Sequence, residues 1–144
     1  LSNLPLSNYI YFRQIQIYYK KTMTKNKKTL VIGGSVNPER FSNKAIRKLL
    51  QYGFPVVSIG LREGEVDGVK IETGRPEYKG IHTVTLYIGK AKQPDYYDYL
   101  IGLKPDRIIF NPGTENNEFK RLAEKNGIET IEFCTLIMLS DGSY

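Results

Sequence analysis

The sequence predicts an α/β fold: a Rossmann-like open parallel sheet of about five strands with helices on both faces. Three observations carry this. Short apolar, β-branched runs recur along the chain, amphipathic segments separate most of them, and glycine or proline punctuates the joints. With 144 residues the chain suits one compact domain with a sizeable core.

The first strand is Thr29-Leu30-Val31-Ile32, which ends in Gly33-Gly34. The spacing predicts a helix from Ser42 to Gln51. Ala45, Ile46, Leu49 and Leu50 share one face, and Lys44, Arg47, Lys48 and Gln51 the other. Ser42 is a suitable cap and Gly53 a suitable stop. Val56-Val57-Ser58-Ile59 is the second strand and Thr83–Ile88 the third. A helix over Asp95–Leu103 ends before Pro105, and Arg107-Ile108-Ile109-Phe110 is the fourth strand. A helix over Glu115–Lys125 stops at Asn126-Gly127, and Glu129–Phe133 is the fifth strand. Residues 60–82 break the alternation. Their glycines and Pro76 predict an irregular connection, with a small extra strand at Val69-Lys70-Ile71. Right-handed crossovers suggest the order 3-2-1-4-5, which makes strands one and four neighbours.

The net charge of +6 is unevenly placed. Residues 1–28 hold Arg13, Lys20, Lys21, Lys25, Lys27 and Lys28 and no acid, while the remaining 15 Lys and Arg face all 15 Asp and Glu. The domain proper is therefore neutral, without the electrostatic footprint of a nucleic-acid binder. No run reaches the ~20 apolar residues of a membrane span. The single cysteine, Cys134, rules out an internal disulfide framework and fits a reducing, cytoplasmic setting.

Residues 1–27 form an extension ahead of the domain at 28–144. Its Tyr, Ile and Phe residues make it too apolar for an ordinary linker, and Arg13 and Gln16 interrupt any signal-peptide core. In one reading Met23 is the natural start and residues 1–22 are upstream sequence. In the other they form a helical or strand-like extension packed on the domain or a partner.

Parallel α/β sheets bind ligands beyond the carboxyl ends of their strands, where the strand order reverses. The loop Gly33–Ser42 lies there. Gly33 and Gly34 allow close backbone approach, the following helix start offers free N–H groups, and Arg40 supplies a forked cation, so the loop suits a phosphate. The loop does not match G-x-G-x-x-G. After strand two, where an NAD site places an acid, stand Leu61-Arg62. Arg62 favours a ribose with an extra phosphate, as in coenzyme A or NADP. After strand four come Asn111-Pro112-Gly113, expected to form the opposite wall with Asn111 facing the ligand; Thr114 is a candidate helix cap.

The segment Ile32–Ser42 (Ile-Gly-Gly-Ser-Val-Asn-Pro-Glu-Arg-Phe-Ser) resembles the signature of the small CoA-binding-domain proteins. Val84–Tyr87, Ile109–Asn116 and Cys134–Leu139 extend the resemblance over roughly residues 28–144. The family is similar to the nucleotide-binding domain of the succinyl-CoA synthetase α subunit. The resemblance implies that Gly33, Ser35, Pro38, Arg40 and Ser42 line the phosphates and adenosine of CoA or an acyl-CoA. It implies too that Leu61-Arg62 and Ile88 to Lys90 border the cofactor. The second loop position is Gly34, where alanine is usual in the family.

No catalytic constellation stands out. His82 is the only histidine, and the phosphohistidine of the synthetase belongs to a second domain that this chain does not span. The chain reads as a binding or regulatory module. A small NADP-dependent oxidoreductase, with Tyr87 as proton donor, is the alternative. Cys134 reads as a core thiol or one close to the cofactor. Tyr96, Tyr97 and Tyr99 cannot share one helix face, so one or two are expected against the sheet and the rest exposed or at a homodimer or other protein contact.

Overall fold

The computed structural model describes residues 5–144. Residues 1–4 of the extension lie outside the described residues. The chain opens with α1 (Leu6–Lys25), then alternates: β1 (Thr29–Ile32), α2 (Phe41–Gln51), β2 (Val56–Ile59), β3 (Gly64–Val66), β4 (Val69–Glu72) and β5 (Thr83–Leu86). Two 3-10 turns, Lys90–Lys92 and Pro94–Tyr96, lead into α3 (Tyr97–Gly102). β6 (Arg107–Phe110), α4 (Asn117–Lys125), β7 (Glu129–Glu132) and α5 (Thr135–Asp141) follow. No helix among the described residues is long and apolar enough to cross a membrane.

The α/β class holds, with a sheet ordered β3-β4-β2-β1-β5-β6-β7 and every pair parallel except β3 with β4. The five expected strands are β1, β2, β5, β6 and β7. Their order is 2-1-3-4-5, not 3-2-1-4-5. The place beside β2 is taken by β4, which pairs with it through Ser58–Ile71 and Ile59–Glu72. The third expected strand, β5, therefore pairs with β1, with Thr29 opposite Thr83 and Ile32 opposite Leu86.

The hairpin that displaces it has a local cause. Asp67 and Gly68 both have positive φ, 46° and 86°, and link Val66 to its partner Val69 in a two-residue turn whose twist suits antiparallel strands. Residues 73–82 then return across the sheet without a helix. Ile81 is buried and Tyr78 packs on the core; the Tyr78 hydroxyl donates to Glu72 Oε2. Tyr99 donates to Pro76 O (2.5 Å), and Arg75 lies over the Tyr96 ring (5.4 Å). Tyr97 stacks near Phe119 (4.5 Å between centroids). All three helix tyrosines are thus half-buried with partners inside the chain.

β1, β5 and β6 are buried at every residue, which is why, Arg107 apart, they read as apolar or β-branched runs. Alternate side chains feed two cores. Leu30, Ile32, Val84, Leu86, Ile108 and Phe110 meet Leu100 of α3 and Phe119 and Ala123 of α4. On the other face Val31 and Ile109 meet Ile46 and Leu49 of α2 and Met138 and Leu139 of α5. The crossovers change face between β1 and β5, so the strand order reverses there.

Helix starts differ from expectation by a residue or two. Arg40, not Ser42, occupies the N-cap position of α2. α4 is capped by Asn116, whose Oδ1 accepts from Phe119 N (3.2 Å), while the Thr114 hydroxyl donates to Asn111 O. The expected helix at Asp95–Leu103 is split between a 3-10 turn and α3. α5 was not foreseen as a helix.

Candidate functional site

The reversal point places a crevice beyond the carboxyl ends of β1 and β5. The floor is a backbone crossing so tight that side chains are excluded. Gly33 and Gly34 both donate to Ile59 O (2.8 and 2.9 Å). Gly33 has φ +93°, and a Cβ there would lie 2.8 Å from Tyr87 O. A Cβ on Gly34 would lie 2.1 Å from Ser58 Oγ, which donates to Val31 O. The loop is thereby clamped between β2 and β5.

Beyond the glycines the loop is held by its own polar groups. Asn37 N donates to Ser35 Oγ (3.1 Å) and Glu39 N to Asn37 Oδ1 (3.0 Å). Asn43 of α2 donates to Ser35 O (2.9 Å) and is itself held by Arg47 Nε on its Oδ1 (2.9 Å). Pro38 and Arg40 are exposed, and Ser42 is buried on the first turn of α2. No side chain caps α2, and its first turn holds no acid. Its N–H groups and positive dipole end are therefore open to an anion.

The other wall comes from β5. Ile88 packs beside Gly33, its Cγ2 lying 3.0 Å from the position a Cβ would take there. Lys90 is exposed two residues on, at the start of a 3-10 turn. On the β2 side, Gly60 lies against Gly34, since a Cβ on it would meet Gly34 O at 2.3 Å. Leu61 and Arg62 follow it into solvent, so the arginine stands next to the loop. Gly33, Gly34, Ser35 and Ile88 are thus brought together, while Ser42 is buried in α2 and Arg40, Leu61, Arg62 and Lys90 are exposed.

Asn111-Pro112-Gly113 is not the wall opposite β1. β5 intervenes, leaving β6 two strand spacings, about 10 Å, from β1. The Asn111 amide is also committed to the protein. It donates to Thr85 Oγ1 (2.7 Å) and Leu86 O (2.9 Å) and accepts from Thr135 N (2.8 Å), tying β5 and β6 to α5. Pro112 and Gly113 are exposed, and Gly113 N donates to the Glu115 carboxylate.

Two residues missed by the sequence reading hold the walls. Gln93 is fully buried, donates to Ile88 O (3.1 Å) and Thr114 O (2.7 Å), and accepts from Asn116 Nδ2 (2.9 Å). It fixes the loop after β5 to the loop after β6. Ser58 sets the fit at Gly34. A small hydroxyl inside an otherwise apolar strand was the signal for Ser58; Gln93 had none.

Among the other titratable groups, Tyr87 flanks the loop through its backbone beside Gly33, and His82 stands apart from it. The Tyr87 phenol is buried beside the Thr85 and Thr135 hydroxyls, which bond each other (2.8 Å). Burial pushes it well above its ordinary pKa, so it stays protonated near neutral pH. His82 lies at the opposite edge of the sheet, with Nδ1 on Thr83 Oγ1 (2.7 Å) and Nε2 facing Asp106 (3.5 Å). Burial lowers its pKa. Cys134 is half-buried at the N-cap of α5. Among the described residues no three His, Cys, Asp or Glu gather as metal ligands.

Comparison with known proteins agrees with the fold. A solved uncharacterized protein is 43% identical, with TM-score 0.80 over 82% of this chain and 98% of its own. A Thermus thermophilus protein shares the fold at 16% identity, with TM-score 0.75 over 90% of this chain and 97% of its own. The dinucleotide-forming acetyl-coenzyme A synthetase 1 of Ca. Korarchaeum cryptofilum, solved with phosphate and ADP, shares it at 18% identity. Its TM-score is 0.63, over 78% of this chain and 26% of the synthetase. No curated protein matches the chain. The pattern of the CoA binding domain matches residues 27–140, nearly all of the α/β unit, and the chain belongs to the CoA binding domain family.

Proposed function

We propose that this protein binds coenzyme A or an acyl-CoA in the crevice at the carboxyl ends of β1 and β5, as a binding or regulatory module. The observation that carries the reading is the uncapped, acid-free start of α2, reached by a glycine crossing that leaves backbone N–H groups beside Arg40. In this reading Gly33, Gly34, Ser35, Pro38, Arg40 and Ser42 cradle the diphosphate and adenosine. Arg62 meets the ribose phosphate beside Leu61, while Ile88 and Lys90 border the arm. Asn111 acts one strand removed, by holding the wall in place. The enclosed Tyr87 phenol and the distant His82 favour binding over proton chemistry.

Calorimetric titration with CoA, acetyl-CoA, NADP and NAD tests this. Binding of CoA or acetyl-CoA that weakens in Arg40→Ala and Arg62→Ala supports the reading. A response to NADP without one to CoA overturns it in favour of a 2′-phosphate site.

A further inference from the structure

Outside α1, large apolar side chains stand exposed at six described positions: Val36, Phe41, Tyr52, Leu61, Phe133 and Ile137. All but Tyr52 lie on loops or helix starts at the carboxyl edge of the sheet, around the crevice. They divide into two groups. Val36 lies over Gly64 on the β2 side, with Leu61 at the end of that strand. Phe41 opens α2, and Phe133 and Ile137 bracket the first turn of α5. α2 and α5 cover the same face, run in the same sense and are tied by Lys48 Nζ on Leu136 O (3.2 Å). The second group therefore forms an apolar lip on one side of the crevice mouth.

We propose that this lip holds the hydrocarbon chain of an acyl-CoA, so that the ligand is a medium-chain acyl thioester. The inference rests on the reading of the Gly33–Ser42 loop as the site of the nucleotide. Phe41 lies between Arg40 and Ser42, so the pantetheine arm folds back from the phosphates for the acyl chain to reach the lip. Its size matches the occupant. Phe41, Phe133 and Ile137 are 64%, 46% and 52% exposed, which together offer roughly 300 Å² of apolar surface. A standard protein interface needs about 800 Å² per partner. A methylene contacted on one side covers about 15 Å², so the lip takes the whole of a chain of about eight to ten carbons.

The test is calorimetric titration of the full chain with CoA, acetyl-CoA, hexanoyl-CoA and decanoyl-CoA below their micelle concentrations. Contact on one side of the chain gives roughly twofold per methylene, so decanoyl-CoA should bind at least about 30-fold tighter than acetyl-CoA. Ile137→Ser and Phe133→Ser, both at exposed positions, should each cut that ratio at least about threefold and leave the affinity for CoA unchanged. A flat series with CoA still bound overturns the acyl site alone; loss of all CoA binding in the unaltered protein overturns the nucleotide site as well. Chain-length dependence that survives both substitutions places the chain elsewhere and refutes the proposal. A flat series in a dimer that Ile137→Ser dissociates assigns the lip to a second copy and refutes it too.

Discussion

Gly34→Ala separates two opposed effects. The backbone at Gly34 is not in the left-handed region, so alanine would ordinarily add about 0.4–1 kcal/mol by narrowing the unfolded ensemble. The contact acts the other way. The new Cβ would sit 2.1 Å from Ser58 Oγ, so the hydroxyl must leave Val31 O inside a fully buried strand. Orphaning a buried hydrogen-bonding group costs about 1–3 kcal/mol. The net expectation is a loss of about 1 kcal/mol, or roughly 4 °C in Tm for a domain of this size. Ser58→Ala alone should cost about 1 kcal/mol, the worth of one buried hydrogen bond. In that background the Gly34→Ala methyl meets only the residue 58 Cβ at 3.3 Å and Ile71 Cγ2 at 3.4 Å, so the second substitution becomes nearly neutral. Urea denaturation of the four proteins gives the coupling directly. A stabilising Gly34→Ala, or an equal penalty with and without Ser58, would refute the clamp between the loop and β2.

Other expectations follow from the same contacts. Arg40→Ala and Arg62→Ala should each weaken CoA binding by about 1–3 kcal/mol without moving Tm, read by calorimetry beside a thermal melt; full affinity in both removes the proposed rim. Asn111→Ala breaks three buried hydrogen bonds and should destabilise the fold by about 2–4 kcal/mol. An unchanged melt would show that its amide is not a brace. Burial holds His82 below the ordinary 6.5, so the unfolded chain takes up the proton first as pH falls. The urea midpoint should be level above about pH 7 and fall as pH drops through 6.5; His82→Gln should remove that part of the slope. A wild-type midpoint that rises through this range contradicts the sign.

The fold class was legible because β1, β5 and β6 are buried on both faces and are rich in β-branched and apolar residues. The strand order was not. It depended on Asp67-Gly68, a hairpin signal hidden among other glycines, which puts β4 beside β2 and moves β5 to β1. That one displacement also moved Asn111-Pro112-Gly113 away from the crevice. The tight crossing at Gly33-Gly34 was readable, since adjacent glycines after a buried strand mark close backbone approach. The groups that hold it were harder to see. Gln93 bonds residues five and 21 positions away in sequence, a relation set only by the tertiary fold. α5 escaped because its seven residues are too few to display a period.

The central claim is that the open start of α2 and its glycine loop bind a CoA nucleotide. Titration of the intact protein with CoA, followed by calorimetry and repeated with Arg40→Ala, tests it most directly. The account predicts a single site per chain whose affinity drops about tenfold or more in the variant. No heat and no thermal shift with saturating CoA, from a protein that melts cooperatively, would contradict it.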